Sequence, residues 1–306
     1  MKTFDFIIVG GGTSGTVTAE KLINNGFSVL IIEEGKKNSN PILSMPAGWI
    51  PMLDGSPYLK FYKSIPQPQL DNRQHDIAQA KIFGGGSSVN GMVYMRGKPS
   101  DYNSWVEATG DKRWGWDSLI QNYKRLENNQ RLAGKYHGTS GPIKVSDPGY
   151  VAKGSDLYMK AMQNLGLPYN RDFNNGAQYG VGLMQYTISD GKRCDTISSL
   201  ISPILNNKNL QIELNTIVTK VIIKDKKAEG VEVLCNGKYK KFYGLPLNKP
   251  IDRLPSVVPV LVKDELSENE IHQYGISSGF RMFLNLRLER AAMAPWDESL
   301  TETCVS

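Results

Sequence analysis

Three glycines at the spacing of a phosphate-binding turn carry the first chemistry legible in this sequence. Gly10, Gly12 and Gly15 spell G-x-G-x-x-G, with Thr13 and Ser14 between the second and third glycine. Each suits a dinucleotide turn. The first permits a tight exit from a strand, the second lets backbone approach a pyrophosphate, and the third lets a helix pack on the strand. The free N–H groups and positive dipole end of that helix would face the phosphates. Glu33 follows at about the twenty-residue spacing at which a carboxylate accepts hydrogen bonds from a ribose.

The elements needed to position these residues are written around them. Residues 4–9 form an apolar run that ends in the glycines, and Ala19, Leu22 and Ile23 recur at helical spacing directly after them. A second strand pattern over residues 27–32 ends at Glu33. Two readings of this unit stay open: a dinucleotide site, or a βαβ core whose acidic turn is only solvated. The succession of strand, turn, helix, strand and carboxylate favours the first.

A second glycine-rich stretch holds Gly84, Gly85, Gly86, Ser87, Ser88, Asn90 and Gly91, followed by Met92 and Val93. Its composition fits a loop in close backbone contact with a ligand, running into a short buried helix. A plain turn before a core helix fits equally well. Between the two stretches the chain is polar and punctuated by prolines over residues 38–68. So long a connection is unusual between core strands, and it is expected to cover something. Met45, Trp49, Met52, Leu53, Tyr58 and Tyr62 argue that it is ordered.

Taken together, the two glycine stretches resemble the glucose–methanol–choline (GMC) family of FAD-dependent oxidoreductases. Residues 84–97 are similar to that family's flavin-contacting signature, roughly G-G-S-S-x-x-N-x-M-x-Y-x-R-G. Gly86 stands in a small-residue slot, and Phe83 replaces the aliphatic residue usual before the glycines. The segments at 101–105, 114–117, 137–142, 191–199 and 215–223 continue the resemblance, which covers roughly residues 1–240. It implies an α/β fold: an FAD/NAD(P)-binding Rossmann-like domain with part of an α+β substrate domain, incomplete. The expected division is 1–150 for the FAD-binding region, 151–240 for partial substrate-domain and adenine-contact strands, and 241–306 for an unmatched tail.

The implied cofactor is FAD. Glu33 would hold the adenosine ribose. Gly10, Gly12, Thr13, Ser14, Gly15, Gly84, Gly85, Asn90, Gly91, Met92 and Val93 would line the pyrophosphate and flavin. The backbone of Val218 would lie against the adenine, or Val218 is a strand core residue, or both. The implied reaction is oxidation of an alcohol CH–OH group with hydride transfer to flavin N5, most like choline-dehydrogenase-type members. An NAD-binding domain would share the first motif but leaves residues 84–97 unexplained. The alternative is a catalytically inactive FAD-binding or partner-binding fragment.

After about residue 241 the family pattern disappears. The strand ending in Ser-Ala-Gly-Ala, the Ser-Pro dipeptide and the late catalytic histidine that the family would supply there do not appear after that point. Loss of that strand is expected to leave Val9, Ile31 and Ile212 less well covered. Pro246, Pro250, Pro255 and Pro259 exclude a regular helix or central strand there. Residues 263–272 are polar, and 280–294 fit a basic amphipathic helix, either a packing helix or a membrane-surface element. None of the three histidines, His75, His137 and His272, matches the family's base, so the catalytic residue is unknown. His137 reads as a structural turn residue.

The remaining periodicities give helices starting at Asp101 and Asp117, a helix over 155–165 and strand alternation over 180–191. A short strand is expected over 209–214, and a hairpin over 221–233 turning at 225–227. The 306 residues carry a formal charge of +6 and a pI near 9.0. Basic residues are not clustered as nucleic-acid binding requires. Cys194, Cys235 and Cys304 show neither metal-ligand spacing nor a disulfide framework, which fits a reducing compartment. No apolar run is long enough to span a bilayer, and the chain enters its first strand with no room for a signal peptide. The expected setting is cytoplasmic, with a small-molecule alcohol as partner and no metal.

Overall fold

The computed structural model describes residues 3–52, 55–224 and 227–244. The expectations for residues 246–259, 263–272 and 280–294, the turn at 225–226, and Leu53, His272 and Cys304 lie outside the described residues. The chain opens with β1 (Thr3–Phe4), β2 (Phe6–Val9), α1 (Thr13–Asn24) and β3 (Val29–Ile32). There follow α2 (Pro41–Ser44), β4 (Leu59–Lys63), β5 (Asp76–Ala80), β6 (Val93–Tyr94), α3 (Pro99–Thr109) and α4 (Trp116–Leu126). Next come β7 (Glu127–Asn129), β8 (Ile143–Val145), α5 (Lys153–Asn164), β9 (Gln185–Tyr186), β10 (Ile188–Ser189) and β11 (Lys192–Arg193). The described chain closes with β12 (Leu210–Glu213), β13 (Thr216–Lys224), β14 (Lys227–Cys235) and β15 (Lys238–Gly244).

The site is built on a parallel sheet of order β12-β3-β2. Phe6 pairs with Val29 and Val9 with Ile32 on one side of β3, and Leu210 pairs with Val29 on the other. On one face, Ala19, Leu22 and Ile23 of α1 pack with Phe6, Ile8, Val29, Ile31, Phe83 and Ile201. On the other, Leu30 and Ile32 meet Phe4, Val231 and Val233. Both faces of β3 are therefore dry, which is why its sequence is an unbroken apolar run rather than an alternation. Each such aliphatic side chain stabilises the fold by about 1.5–3 kcal/mol.

The second layer is a sheet of order β1-β15-β14-β13. The expected hairpin forms between β13 and β14, and β1 pairs in parallel with β15 through Thr3 and Tyr243. One expectation fails here. Ile31 is fully buried at 0% exposure, because β2 and β12 flank it and α1 covers it. Val9 and Ile212 are half-buried.

Further corrections are local. The stretch after the second glycines is not a buried helix. A 3-10 turn over Gly85–Ser88 gives way to β6, which pairs with β9 across some ninety residues of chain. The cap of α3 is Lys98, with Pro99 first in the helix and Asp101 reaching back to the Lys98 N–H at 2.7 Å. Gly115 caps α4, ahead of Asp117. Over 180–191 only β9 and β10 are strands. The proline-punctuated connection is ordered: Leu43 and Met52 bury against Ile82, and β4 and β5 pair. The expected helix α5 forms two residues earlier than its periodicity implied, yet Leu157 and Tyr158, and Leu165 just beyond its end, stay exposed.

Candidate functional site

The two glycine stretches meet. Gly84 donates its N–H to the Gly11 carbonyl at 2.7 Å, and a Cβ on Gly85 would lie 2.6 Å from the Gly12 Cα. Gly10 adopts φ 95°, the left-handed turn out of β2 that favours glycine. A Cβ on Gly15 would sit 2.1 Å from the Gly10 carbonyl oxygen, so α1 can press against the end of β2 only with glycine there. Gly12 differs: a Cβ there would meet only the Gly85 Cα, at 3.8 Å. The protein's own packing does not demand glycine at this position. Phe83 fills the space beside Gly11, its ring 2.6 Å from where a Cβ would stand, so the large residue at 83 requires glycine at 11.

Gly12 caps α1 without any side-chain hydrogen bond, and no acidic residue occupies the first turn, where Thr13 and Ser14 lie. The first-turn amides and the positive end of a 12-residue helix thus lack a side-chain cap or a first-turn carboxylate, a setting that favours an anion. Glu33 is buried behind them. Its carboxylate accepts from the Gly11 N–H and the Gly35 N–H, each at 2.7 Å, and so clamps the turn. The Glu33 carbonyl also accepts from the Thr216 N–H at 3.0 Å. This contact fixes the start of β13, and half-buried Val218, two residues along, packs against the cluster of Leu30, Ile32 and Val233.

Asn90, Gly91, Met92 and Val93 lie beyond the 3-10 turn, with no hydrogen bond to the Gly10–Gly15 turn among the described residues. Asn90 Oδ1 accepts from the Met92 N–H at 3.1 Å, which steadies Met92 at φ 61°, an uncommon value for a buried methionine. Val93 is exposed on β6. Arg193 reaches this loop from β11, donating to the Asn90 carbonyl at 2.7 Å and to Asn90 Oδ1 at 2.8 Å. Its Nη2 is buried without an acceptor among the described residues. An open-sided Gly12, an uncapped helix start and an unanswered buried donor fit an anionic dinucleotide.

Two of the three histidines, His75 and His137, lie among the described residues. His75 is exposed ahead of β5. His137 is buried between two carboxylates, with Nδ1 2.9 Å from Glu127 Oε1 and Nε2 3.0 Å from Asp172 Oδ2. Burial works against its charge, but hydrogen bonds to Asp172 and Glu127 outweigh it and hold the imidazole above its ordinary value. Burial likewise opposes ionisation of Glu127 and Asp172, yet the His137 contacts keep both below the usual carboxylate range. Arg96 joins the cluster at 2.7 Å from Glu127 Oε2. His137 is therefore engaged on both ring nitrogens within this cluster. The ion-pair network was not legible, because its members are spread from residue 96 to 172.

Among the described residues no group of three or more His, Cys, Asp and Glu is placed to hold a metal ion, and no helix is long and apolar enough to cross a membrane.

The GMC oxidoreductase family model matches residues 4–245. The chain belongs to the GMC oxidoreductase family. Among curated members, an alcohol dehydrogenase [acceptor] of Pseudomonas putida is 36% identical over 241 residues, covering 78% of this chain and 43% of the relative. An oxygen-dependent choline dehydrogenase of Rhizobium etli is 34% identical over 235 residues, 76% of this chain and 42% of the relative. Mouse mitochondrial choline dehydrogenase is 29% identical over an alignment covering 95% of this chain and 52% of the relative. An alignment of that extent runs past residue 245 into the tail that carried no legible family pattern. Among solved structures, pyridoxine 4-oxidase from Mesorbium loti superposes with a TM-score of 0.75 at 31% identity, covering 78% of this chain and 48% of that one. An FAD-dependent oxidoreductase from Chaetomium thermophilum gives 0.71 at 29% identity, covering 79% and 44%. The GMC chain thus spans about half the length, or less, of the relatives it matches.

Proposed function

We propose that this chain binds FAD and is the cofactor-binding part of a GMC enzyme that oxidises the CH–OH group of an alcohol. The observation that carries the proposal is the joining of the two glycine stretches by the Gly84 N–H to the Gly11 carbonyl. That contact sets the uncapped start of α1 beside the loop that resembles the flavin signature. The FAD-dependent neighbour and the relatives named as choline and alcohol dehydrogenases support it. When bound, FAD would supply the acceptor for the electron pair released by oxidation of the alcohol.

The chain's own residues bind and orient. The amides of Thr13 and Ser14 and the backbone of Gly12 hold the pyrophosphate, while Gly10 and Gly15 make that turn possible. Glu33 keeps the turn closed and accepts from the ribose. Gly84, Gly85, Asn90, Gly91, Met92 and Val93 line the flavin side, and the backbone of Val218 meets the adenine. Residues 1–150 hold most of the FAD-binding region and 151–240 part of a substrate domain. β12 returns to the sheet of β2 and β3, while β13 to β15 form the second sheet with β1.

Of the two histidines among the described residues, His137 is committed to Glu127 and Asp172 and His75 is exposed ahead of β5. This favours a second reading, an FAD-binding fragment without turnover. Titration of the cofactor-free protein with FAD, followed by flavin fluorescence, tests the shared claim. One-to-one saturable binding that NAD does not compete for is expected, and absence of FAD uptake would refute it. Anaerobic addition of choline or simple primary alcohols to the loaded protein then separates the two readings. Bleaching of the oxidised flavin band marks an active chain, and a stable band marks the fragment.

A further inference from the structure

Arg193 is 5% exposed and lies on β11, far in sequence from the glycine stretches. Its guanidinium adds to the contacts between two segments, which also meet where Asn38 Nδ2 donates to Ser88 Oγ at 2.9 Å. Nε donates to the Leu43 carbonyl at 2.8 Å, in α2 near the start of the covering connection. Nη1 donates to the Asn90 carbonyl at 2.7 Å, to Asn90 Oδ1 at 2.8 Å and to the Ser87 carbonyl at 3.2 Å. Residues next to it reinforce the grip. The Thr187 N–H donates to the Met92 carbonyl at 2.8 Å, and the Thr196 N–H donates to Ser87 Oγ at 3.2 Å.

The arrangement is costly for stability alone. Burial disfavours the charge of Arg193, outweighing the nearby Asp195 and lowering its pKa from the ordinary value, and Nη2 has no acceptor among the described residues. A buried cation that leaves one donor unanswered calls for an explanation beyond packing. The loop it grips contains Met92 at φ 61°, a conformation that the surrounding contacts must enforce.

We propose that Arg193 is a positioning residue for the cofactor loop: its planar fork holds residues 87–92 in the turn that presents Gly91 and Met92 to the ligand. The inference rests on the FAD reading for the identity of that ligand. A lysine keeps the charge but offers a point donor, which cannot bridge Leu43, Ser87 and Asn90 at once.

The test uses the full chain and the variants Arg193→Lys and Arg193→Ala. Hydrogen exchange of the cofactor-free protein is expected to accelerate by about tenfold or more over residues 86–94 in Arg193→Lys, the effect of losing one hydrogen bond to a charged group. Amides of β2 and β3 should keep wild-type rates. The FAD dissociation constant should rise by a similar factor, and ethylguanidinium should restore affinity in Arg193→Ala. Unchanged exchange over 86–94 would overturn the proposal. So would acceleration spread evenly through the chain, which marks a merely structural arginine. Should the wild-type chain take up no FAD, the functional reading fails, while the exchange measurement still decides the role of Arg193.

Discussion

Replacing Gly12 and Gly15 separately by valine pulls cofactor binding apart from folding. At Gly15 a Cβ would lie 2.1 Å from the Gly10 carbonyl oxygen and 3.2 Å from Ile8 Cγ2. Ile8 belongs to β2 and Gly10 follows its end, both held to β3, the strand through its pairing and Gly10 by its N–H to the Ile32 carbonyl. Relief of that overlap requires α1 to move off the sheet, at an overpacking cost of about 1–3 kcal/mol or more. For a described fold of this size that lowers the melting temperature by about 2–12 °C. At Gly12 the nearest atom to a Cβ is 3.8 Å away, so the cost is that of a poor N-cap, about 1 kcal/mol or less. The same Cβ would occupy the approach of the pyrophosphate. Differential scanning fluorimetry with and without FAD is the assay. Gly12→Val is expected to melt close to wild type without FAD and to gain nothing from it, whereas Gly15→Val melts lower in both conditions. Full FAD stabilisation of Gly12→Val would refute the placement of the phosphates.

Three further outcomes follow from the buried polar groups. Glu33→Gln turns an NH2 group toward the N–H of Gly11 or Gly35, costing about 1–3 kcal/mol, and urea denaturation should show this loss even without FAD. Because the imidazole of His137 is held above its ordinary value, it contributes stability below about pH 6.5 that fades as pH rises through the raised folded value. Glu127 and Asp172, held low, contribute above about pH 4–4.5 and lose that contribution as pH falls through their depressed values. The melting difference between wild type and His137→Gln should therefore be widest near pH 5–6 and narrow toward alkaline pH; a constant difference would contradict the ion-paired state. Arg96→Met removes the cation facing Glu127 at 2.7 Å and should cost about 3–5 kcal/mol, measured by the same urea titration.

The sequence made the βαβ unit legible because its pattern is local: an apolar run, three glycines, helical spacing and a second apolar run within about thirty residues. What escaped was set by partners distant in the chain. Residues 93–94 read as helix by composition, yet become strand through pairing with β9 and the positive φ of Met92. The covering of Ile31 depended on β12, residues 210–213, returning to β3. Glu33 was read for its ribose spacing, and the structure adds a second task, closing the turn through Gly11 and Gly35. Arg193 stood in a segment recognised only for its resemblance. Its hold on Leu43, Ser87 and Asn90 depends on side-chain direction in the folded chain, which no periodicity carries.

The central claim, that these residues form an FAD site, is tested most directly by the visible absorbance spectrum of the purified protein, with heat release and identification of any chromophore. The account predicts an oxidised-flavin spectrum, or its appearance on adding FAD, with one FAD released per chain. A colourless protein that takes up no added FAD would contradict it.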